Sequence, residues 1–167
     1  MKRSKKVLIL RFSSYGDVAI MVPVLRALST THPEATFKVV SRPKMAPLFD
    51  EFRNVDFIGI DLENNFKGLR GLWDLFKYLK KLKPTHIADL HHVIRTRIIC
   101  FLFRIYGFRV KSINKGRAEK KALTRFKNKI FQPLTPTVFR YSKVFISLGF
   151  PNDITKTEIP YGKVLPK

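Results

Sequence analysis

The stretch Arg11-Phe12-Ser13-Ser14-Tyr15-Gly16-Asp17 sets a cation, two serine hydroxyls, one glycine and a carboxylate between an apolar run and an amphipathic segment. A dinucleotide-binding turn there would read G-x-G-x-x-G, so that backbone could approach a pyrophosphate; a P-loop would read G-x-x-x-x-G-K-[ST]. Neither pattern is present, so this first turn is not built around a phosphate. It offers Asp17 at a helix N-terminus instead. The plainer role for Asp17 is a helix N-cap, worth about 1 kcal/mol. The chemical role is also open to it. The helix dipole would lower its pKa and keep it ionised at neutral pH, able to take a proton from a hydroxyl as that oxygen attacks.

Other reactive side chains are sparse. His91 and His92 are adjacent and point in different directions, a poor metal pair, and no Cys or His stands at zinc spacing, so no metal is expected. Cys100, the one cysteine, lies in the apolar run Ile98-Ile99-Cys100-Phe101-Leu102-Phe103 and reads as core filling. It also excludes an internal disulfide. Asp61 and Asp89 end strands and suit loop or capping roles ahead of the alternative, a place lining the cleft.

The elements that must hold Asp17 follow from periodicity. Lys6 to Arg11 is a continuous apolar run, the signature of a strand buried on both faces. Val18 to Thr31 has helical spacing, with Pro23 expected to kink or restart it. Strands are predicted at Thr36–Ser41, Val55–Ile60, His86–Leu90 and Phe108–Ile113. Helices are predicted near Lys44–Phe52 and at Leu69–Leu82, Thr96–Tyr106 and Pro136–Leu148. On the Leu69–Leu82 helix, Leu69, Leu72, Trp73, Phe76, Leu79 and Leu82 share one face, and Gly107 is the stop of the next helix. A basic, irregular or helical segment runs to Phe131. This alternation predicts a doubly wound α/β domain with a parallel sheet, which binds ligands at the C-terminal strand ends where strand order reverses. Residues 1–150 form that domain and residues 151–167, with Pro151, Pro160 and Pro166, an exit segment. The 167 residues suit one domain, and at 45% hydrophobic they need no staples to fold.

No run approaches the roughly 18 apolar residues of a membrane span, and the four-residue run after Lys2-Arg3-Ser4-Lys5-Lys6 is too short for a secretory signal, so the chain reads as cytoplasmic. The net charge is +21. From Arg104 to Lys129 ten basic residues, Lys127 among them, meet a single acid, Glu119, a pattern that favours a polyanionic partner over a merely solvated face.

The sequence VLILRFSSYGDVAIMVPVLRAL resembles the opening of the bacterial ADP-heptose–lipopolysaccharide heptosyltransferases, glycosyltransferase family 9, which reads R-[FL]-S-S-x-G-D-x-x-x-x-x-P-x-L-x-x-L. Arg11, Ser13, Ser14, Gly16, Asp17, Pro23, Leu25 and Leu28 match. Asp89-Leu90 through Arg95-Thr96 resembles that family's D-L-x-x-x-x-R-[ST] segment. Phe139-Arg140-Tyr141 through Leu148-Gly149-Phe150-Pro151 resembles its E-R-Y…L-G-[IL]-P helix, although Pro136 and Phe139 stand where the family often has His and Glu. Family members carry two Rossmann-like domains in a GT-B arrangement, about twice this length. The resemblance therefore implies the N-terminal, acceptor-binding half, with most of the donor site on a C-terminal domain absent from these 167 residues, and with no catalysis by this half alone.

The resemblance further implies metal-independent, inverting transfer of heptose from ADP-heptose to the lipopolysaccharide inner core, without a cofactor. Asp17 would be the general base. Ser13 and Ser14 would shape the loop or contact the acceptor, Gly16 would allow close approach, and Arg11 would pair with a carboxylate or an anionic acceptor. The family's acceptor, a Kdo-lipid A glycolipid, carries carboxylates and phosphates, which guanidinium groups match. Arg95, Arg97, Lys115, Arg117, Lys120 and Lys121 are the candidates to meet it, because they follow the fourth and fifth strands on the ligand edge. The same surplus would hold the protein on an anionic inner leaflet at about 1 kcal/mol per basic residue. Two other readings compete: a GT-B transferase for another sugar, which the Asp17 loop fits equally well, and a nucleic-acid-binding module. The latter shows none of its usual motifs. Oligomeric state is not legible.

Overall fold

The structure, a computed structural model, describes residues 5–126 and 132–156. Lys2, Arg3, Ser4, Lys127, Lys129, Pro160 and Pro166, with the rest of 157–167, lie outside them. Five strands form an all-parallel sheet: β1 (Lys6–Leu10), β2 (Thr36–Ser41), β3 (Val55–Gly59), β4 (His86–Asp89) and β5 (Arg109–Ser112), in spatial order β3-β2-β1-β4-β5. The helices are α1 (Tyr15–Ala19), α2 (Met21–Thr31), α3 (Gly68–Lys81), α4 (Ile94–Ile105), α5 (Arg117–Thr124) and α6 (Thr137–Ser147). The segment predicted as a helix after β2 is a 3₁₀ stretch, Pro43–Leu48, with Pro47 inside it. The predicted doubly wound architecture is the one observed.

The apolar run of β1 divides its residues between two cores, which is why it shows no alternation. Val7 and Ile9 join Leu25, Leu28, Phe37, Tyr141 and Phe145 on the face covered by α2 and α6. Leu8 and Leu10 join Leu75, Phe76, Leu79, Ile99 and Phe103 beneath α3 and α4. All four are fully buried, each worth about 2 kcal/mol. The chain winds outward from β1 to β3, then returns through α3 to β4 on the other side of β1. The crossover helices α2 and α4 thus lie on opposite faces, as right-handed crossovers require, and α6 returns to the α2 face. β1 flanked by β2 and β4 is the switch point, and the register there sets Leu10 beside Asp89.

Pro23 acts as expected, and the apolar face of α3 departs from expectation. The first helix is broken at Ile20: Pro23 has no N–H for the Ala19 carbonyl, and its ring crowds that carbonyl, so α1 ends and α2 restarts. On α3, Leu69 and Trp73 are 77% and 42% exposed, so the core face is narrower than the spacing implied and centres on Leu72, Leu75, Phe76 and Leu79. Gly107 does stop α4: at φ +78° its amide donates to Arg104 O, and Phe108 N–H donates to Phe103 O. Residues 151–156 lie back on the domain, with Pro151 O 2.8 Å from His32 Nε2 and Ser142 Oγ donating to Asn152 Oδ1 at 2.7 Å.

Candidate functional site

The site is built where β1 and β4 end. Arg11 follows Leu10 directly, and its amide still belongs to the sheet, donating to Val40 O at 3.2 Å. Its side chain crosses the split: Nη1 donates to Leu90 O at 2.7 Å, and Nη2 pairs with Asp17 Oδ2. Only 7% of Arg11 is exposed, so this guanidinium is a fixture of the sheet edge.

Asp17 is not the N-cap. Ser14 caps α1, and Asp17 stands three residues into the helix, where its carboxylate reaches back. The Ser14 hydroxyl donates to Asp17 Oδ2 at 3.0 Å and the Ser14 amide to the same oxygen at 3.4 Å, the reciprocal half of a capping box. All three groups use Oδ2, leaving Oδ1 uncommitted among the described residues. Partial burial pushes the Asp17 pKa up, but the Arg11 charge and the Ser14 hydrogen bonds outweigh it and hold the carboxyl below its ordinary value. The Arg11 charge is the largest of the lowering influences, with the Ser14 hydrogen bonds after it.

Ser13 Oγ lies 3.4 Å from His91 Nε2, and the Phe12 ring stands edge-on to the His91 ring. Burial, then the Arg11 and Lys115 charges, lower the His91 pKa to about 4, so it is neutral at pH 7. Asp89, wholly buried, accepts the His91 and His92 amides on Oδ1, at 3.0 and 2.7 Å, and Asp61 accepts those of Glu63 and Asn64. Both acids are loop formers. Cys100 is buried, and burial pushes its thiol far up, which keeps it inert. No group of three or more His, Cys, Asp or Glu is arranged to hold a metal among the described residues.

Beside Asp17 opens a cleft of about 460 Å³, within the range of small-molecule sites. Arg11, Asp17, Lys115, Lys120, Arg140 and Tyr141 line it, beside Thr135 and Thr137. Burial and then the Arg11 and Arg117 charges lower the Lys115 pKa, the mark of crowded cations. Arg117 and Lys121 stand exposed on α5 and do not line this cleft; Arg95 and Arg97 stand exposed on α4, Arg97 over a separate depression with Phe101 and Arg104. Gly16 lies inside α1, and a Cβ there would meet nothing within 4 Å, so the chain itself does not require glycine.

Two lining residues were not among the expected site residues. Tyr141 donates its hydroxyl to Asp17 O at 3.2 Å, and burial raises its pKa to about 12. Arg140, 9% exposed, donates to Thr135 O at 2.9 Å, Asn114 O at 3.1 Å and Glu119 Oε2 at 2.6 Å. It ties the loop after β5, α5 and the approach to α6 together, which positions Lys115 and Lys120. It also occupies Glu119, the one acid of the basic stretch. Gly116 makes this possible: at φ +62°, a Cβ there would sit 2.4 Å from the Arg140 guanidinium. The only signal for either residue was the Phe139-Arg140-Tyr141 resemblance.

No family model and no curated protein matches this sequence. Solved structures do. The glycosyl transferase family 9 protein of Veillonella parvula DSM 2008 superposes with TM-score 0.62 at 19% identity, over 94% of this chain and 44% of that one. The E. coli heptosyltransferase WaaC with ADP gives 0.63 at 18% identity, over 92% and 50%. A UDP-N-acetylglucosamine 2-epimerase gives 0.51 at 15% identity, over 85% and 40%. The chain thus spans about half the length of each. At these identities the likeness establishes the fold, one Rossmann-like half of a GT-B architecture, and an epimerase shares it.

Proposed function

We propose that this chain is the acceptor-binding half of a glycosyltransferase of the heptosyltransferase kind, with Asp17 as its general base. The carrying observation is the asymmetric clamp on Asp17. One carboxylate oxygen is held by Arg11 and Ser14, the other is uncommitted, and both stand at the switch point beside a basic cleft. An acceptor hydroxyl would give its proton to Oδ1 as its oxygen attacks the anomeric carbon of ADP-heptose. The new C–O bond forms as the bond to the diphosphate breaks, the electron pair leaving on the β-phosphate oxygen and the configuration inverting. No metal or cofactor enters this scheme. The nucleotide sugar is a substrate held mainly by a second α/β domain, so these 167 residues alone would not turn over.

The acceptor is an acidic glycolipid of the Kdo-lipid A type. Lys115 and Lys120 meet its carboxylates or phosphates from within the cleft, with Arg117 and Lys121 at its margin, while Arg11 and Arg140 are held by protein partners and shape the site. Ser13 supports the loop, and the room above Gly16 lets the acceptor approach. The protein works at the cytoplasmic face of the inner membrane. No helix among the described residues is long and apolar enough to cross a membrane, which fits peripheral contact. A transferase for another sugar is the second reading, since the Asp17 clamp is indifferent to the donor.

The test is a titration with Kdo-bearing headgroup at physiological salt. Saturable binding, weakened about tenfold by Lys115→Ala/Lys120→Ala and little changed by Asp17→Asn, supports the reading. With a donor-binding domain supplied, Asp17→Asn then abolishes transfer. Binding of duplex or single-stranded nucleic acid that survives salt, with none of the headgroup, overturns it.

A further inference from the structure

α4 is apolar on the side that faces away from the protein. Thr96, Ile99, Cys100 and Phe103 turn into the core. Ile94, Phe101 and Ile105, at i, i+7 and i+11, form a second stripe on the opposite side, while Ile98 between them is half-buried and packs against the core. Ile94 is 74% exposed, Phe101 59% and Ile105 64%. Arg97 and Arg104 flank this stripe on one side and Arg95 on the other, all exposed; α4 contains no acid. None of the three arginines has an acidic partner among the described residues. Toward α3 the patch continues through Tyr106, 48% exposed, with Lys80 Nζ 3.6 Å from its ring centre.

We infer that this outward face of α4 docks the protein on an anionic bilayer, aliphatic side chains entering the headgroup boundary while the flanking arginines meet lipid phosphates. Charge decides among occupants. A second copy would bring three arginines against three, and the exposed isoleucines, unlike an aromatic ring, have no base to stack on in nucleic acid. Lipid headgroups over acyl chains match both halves of the surface. The α4 N-terminus lies at the sheet edge that carries Asp17, so docking presents the cleft near the membrane surface. The inference deepens the proposed function and rests on it for the purpose of docking, since a lipid-anchored acceptor must be met at its membrane. It also gives Arg95 and Arg97 a task other than acceptor contact.

The experiment is co-sedimentation of the 167-residue chain with phosphatidylcholine vesicles, with and without 30% phosphatidylglycerol (roughly the anionic content that gives a strong surface potential), at physiological salt and with no glycolipid. Anionic vesicles are expected to bind at least about tenfold more tightly than neutral ones. Phe101→Ser/Ile105→Ser should weaken binding about tenfold at unchanged melting temperature. Arg97→Ala/Arg104→Ala should weaken it about 25-fold, at about fivefold per arginine. Lys115→Ala/Lys120→Ala, which tests the cleft, should weaken headgroup binding in solution more than vesicle binding. Equal binding to neutral vesicles, loss confined to the cleft pair, or dimerisation through α4 without vesicle binding would each overturn the docking face while leaving the cleft reading intact. Failure of headgroup binding with α4-dependent vesicle binding preserved would do the reverse.

Discussion

The cleft and the outer face of α4 are both rich in arginine, yet they use it in opposite ways. At the cleft, Arg11 and Arg140 are under a tenth exposed, and each is held by protein oxygens: Leu90 O and Asp17 for one, Thr135 O, Asn114 O and Glu119 for the other. On α4 the arginines are exposed, and among the described residues Arg104 has only the Ser112 hydroxyl, at 3.5 Å. A buried guanidinium fixes geometry, and its removal strands its partners. An exposed, unopposed one contributes long-range attraction and almost nothing to folding. The same residue type therefore marks a preorganised site in one place and a diffuse docking surface in the other.

Substitutions can break that contrast. The largest effect is expected for Arg11→Met, which leaves Leu90 O without its donor and Asp17 without its cation. About 2–3 kcal/mol should be lost in urea unfolding, part of it recovered when Asp17→Asn is added. A loss below about 0.5 kcal/mol would mean that the clamp is not structural. Arg140→Leu should cost about 2 kcal/mol for its three stranded oxygens. Gly116→Ala should cost a similar amount, since it needs both a left-handed residue and the space of the Arg140 guanidinium. If Gly116→Ala is neutral, the loop after β5 is not held as described.

The third effect is a pH dependence. The folded state lowers the His91 pKa from 6.5 to about 4, so the unfolded chain binds more protons between those values. This contribution is fully present above pH 6.5 and is lost as pH falls toward 4. About 1–2 kcal/mol should go, solvent screening on the exposed part of the ring reducing the full linkage value. His91→Asn should flatten that part of the stability–pH curve; an unchanged slope would move the titration elsewhere. The Asp17 carboxyl, held below its ordinary 3.8, should remain ionised across the same window, as NMR titration of its carboxyl carbon can check. The smallest effect is expected on α4: Phe101→Ser and Arg97→Ala/Arg104→Ala should stay within about 0.5 kcal/mol of the parent, and a larger loss would make the outer stripe part of the fold.

Much of this was legible in the residues. The strands of the sheet, the Gly107 stop and the strain at Pro23 are local matters of burial pattern, φ freedom and a missing N–H, and each was read to within a few residues. The Asp17 loop was found because its cation, hydroxyls and carboxylate are contiguous, within the reach of one turn. Its environment was not. Tyr141 reaches Asp17 O across 124 positions and Arg11 reaches Leu90 O across 79, and nothing in periodicity names such partners. Arg140 read as a helix residue, and only the packed loop after β5 makes it the clasp of the cleft. The second apolar stripe of α4 shares its residue types with the core stripe, so the sequence could mark the helix as apolar without saying which side is covered. Local sterics and hydrophobic spacing determine the elements. Which charges are buried, which are paired and which apolar face is left to solvent are properties of the assembled sheet and its neighbours, and only the tertiary structure decides them.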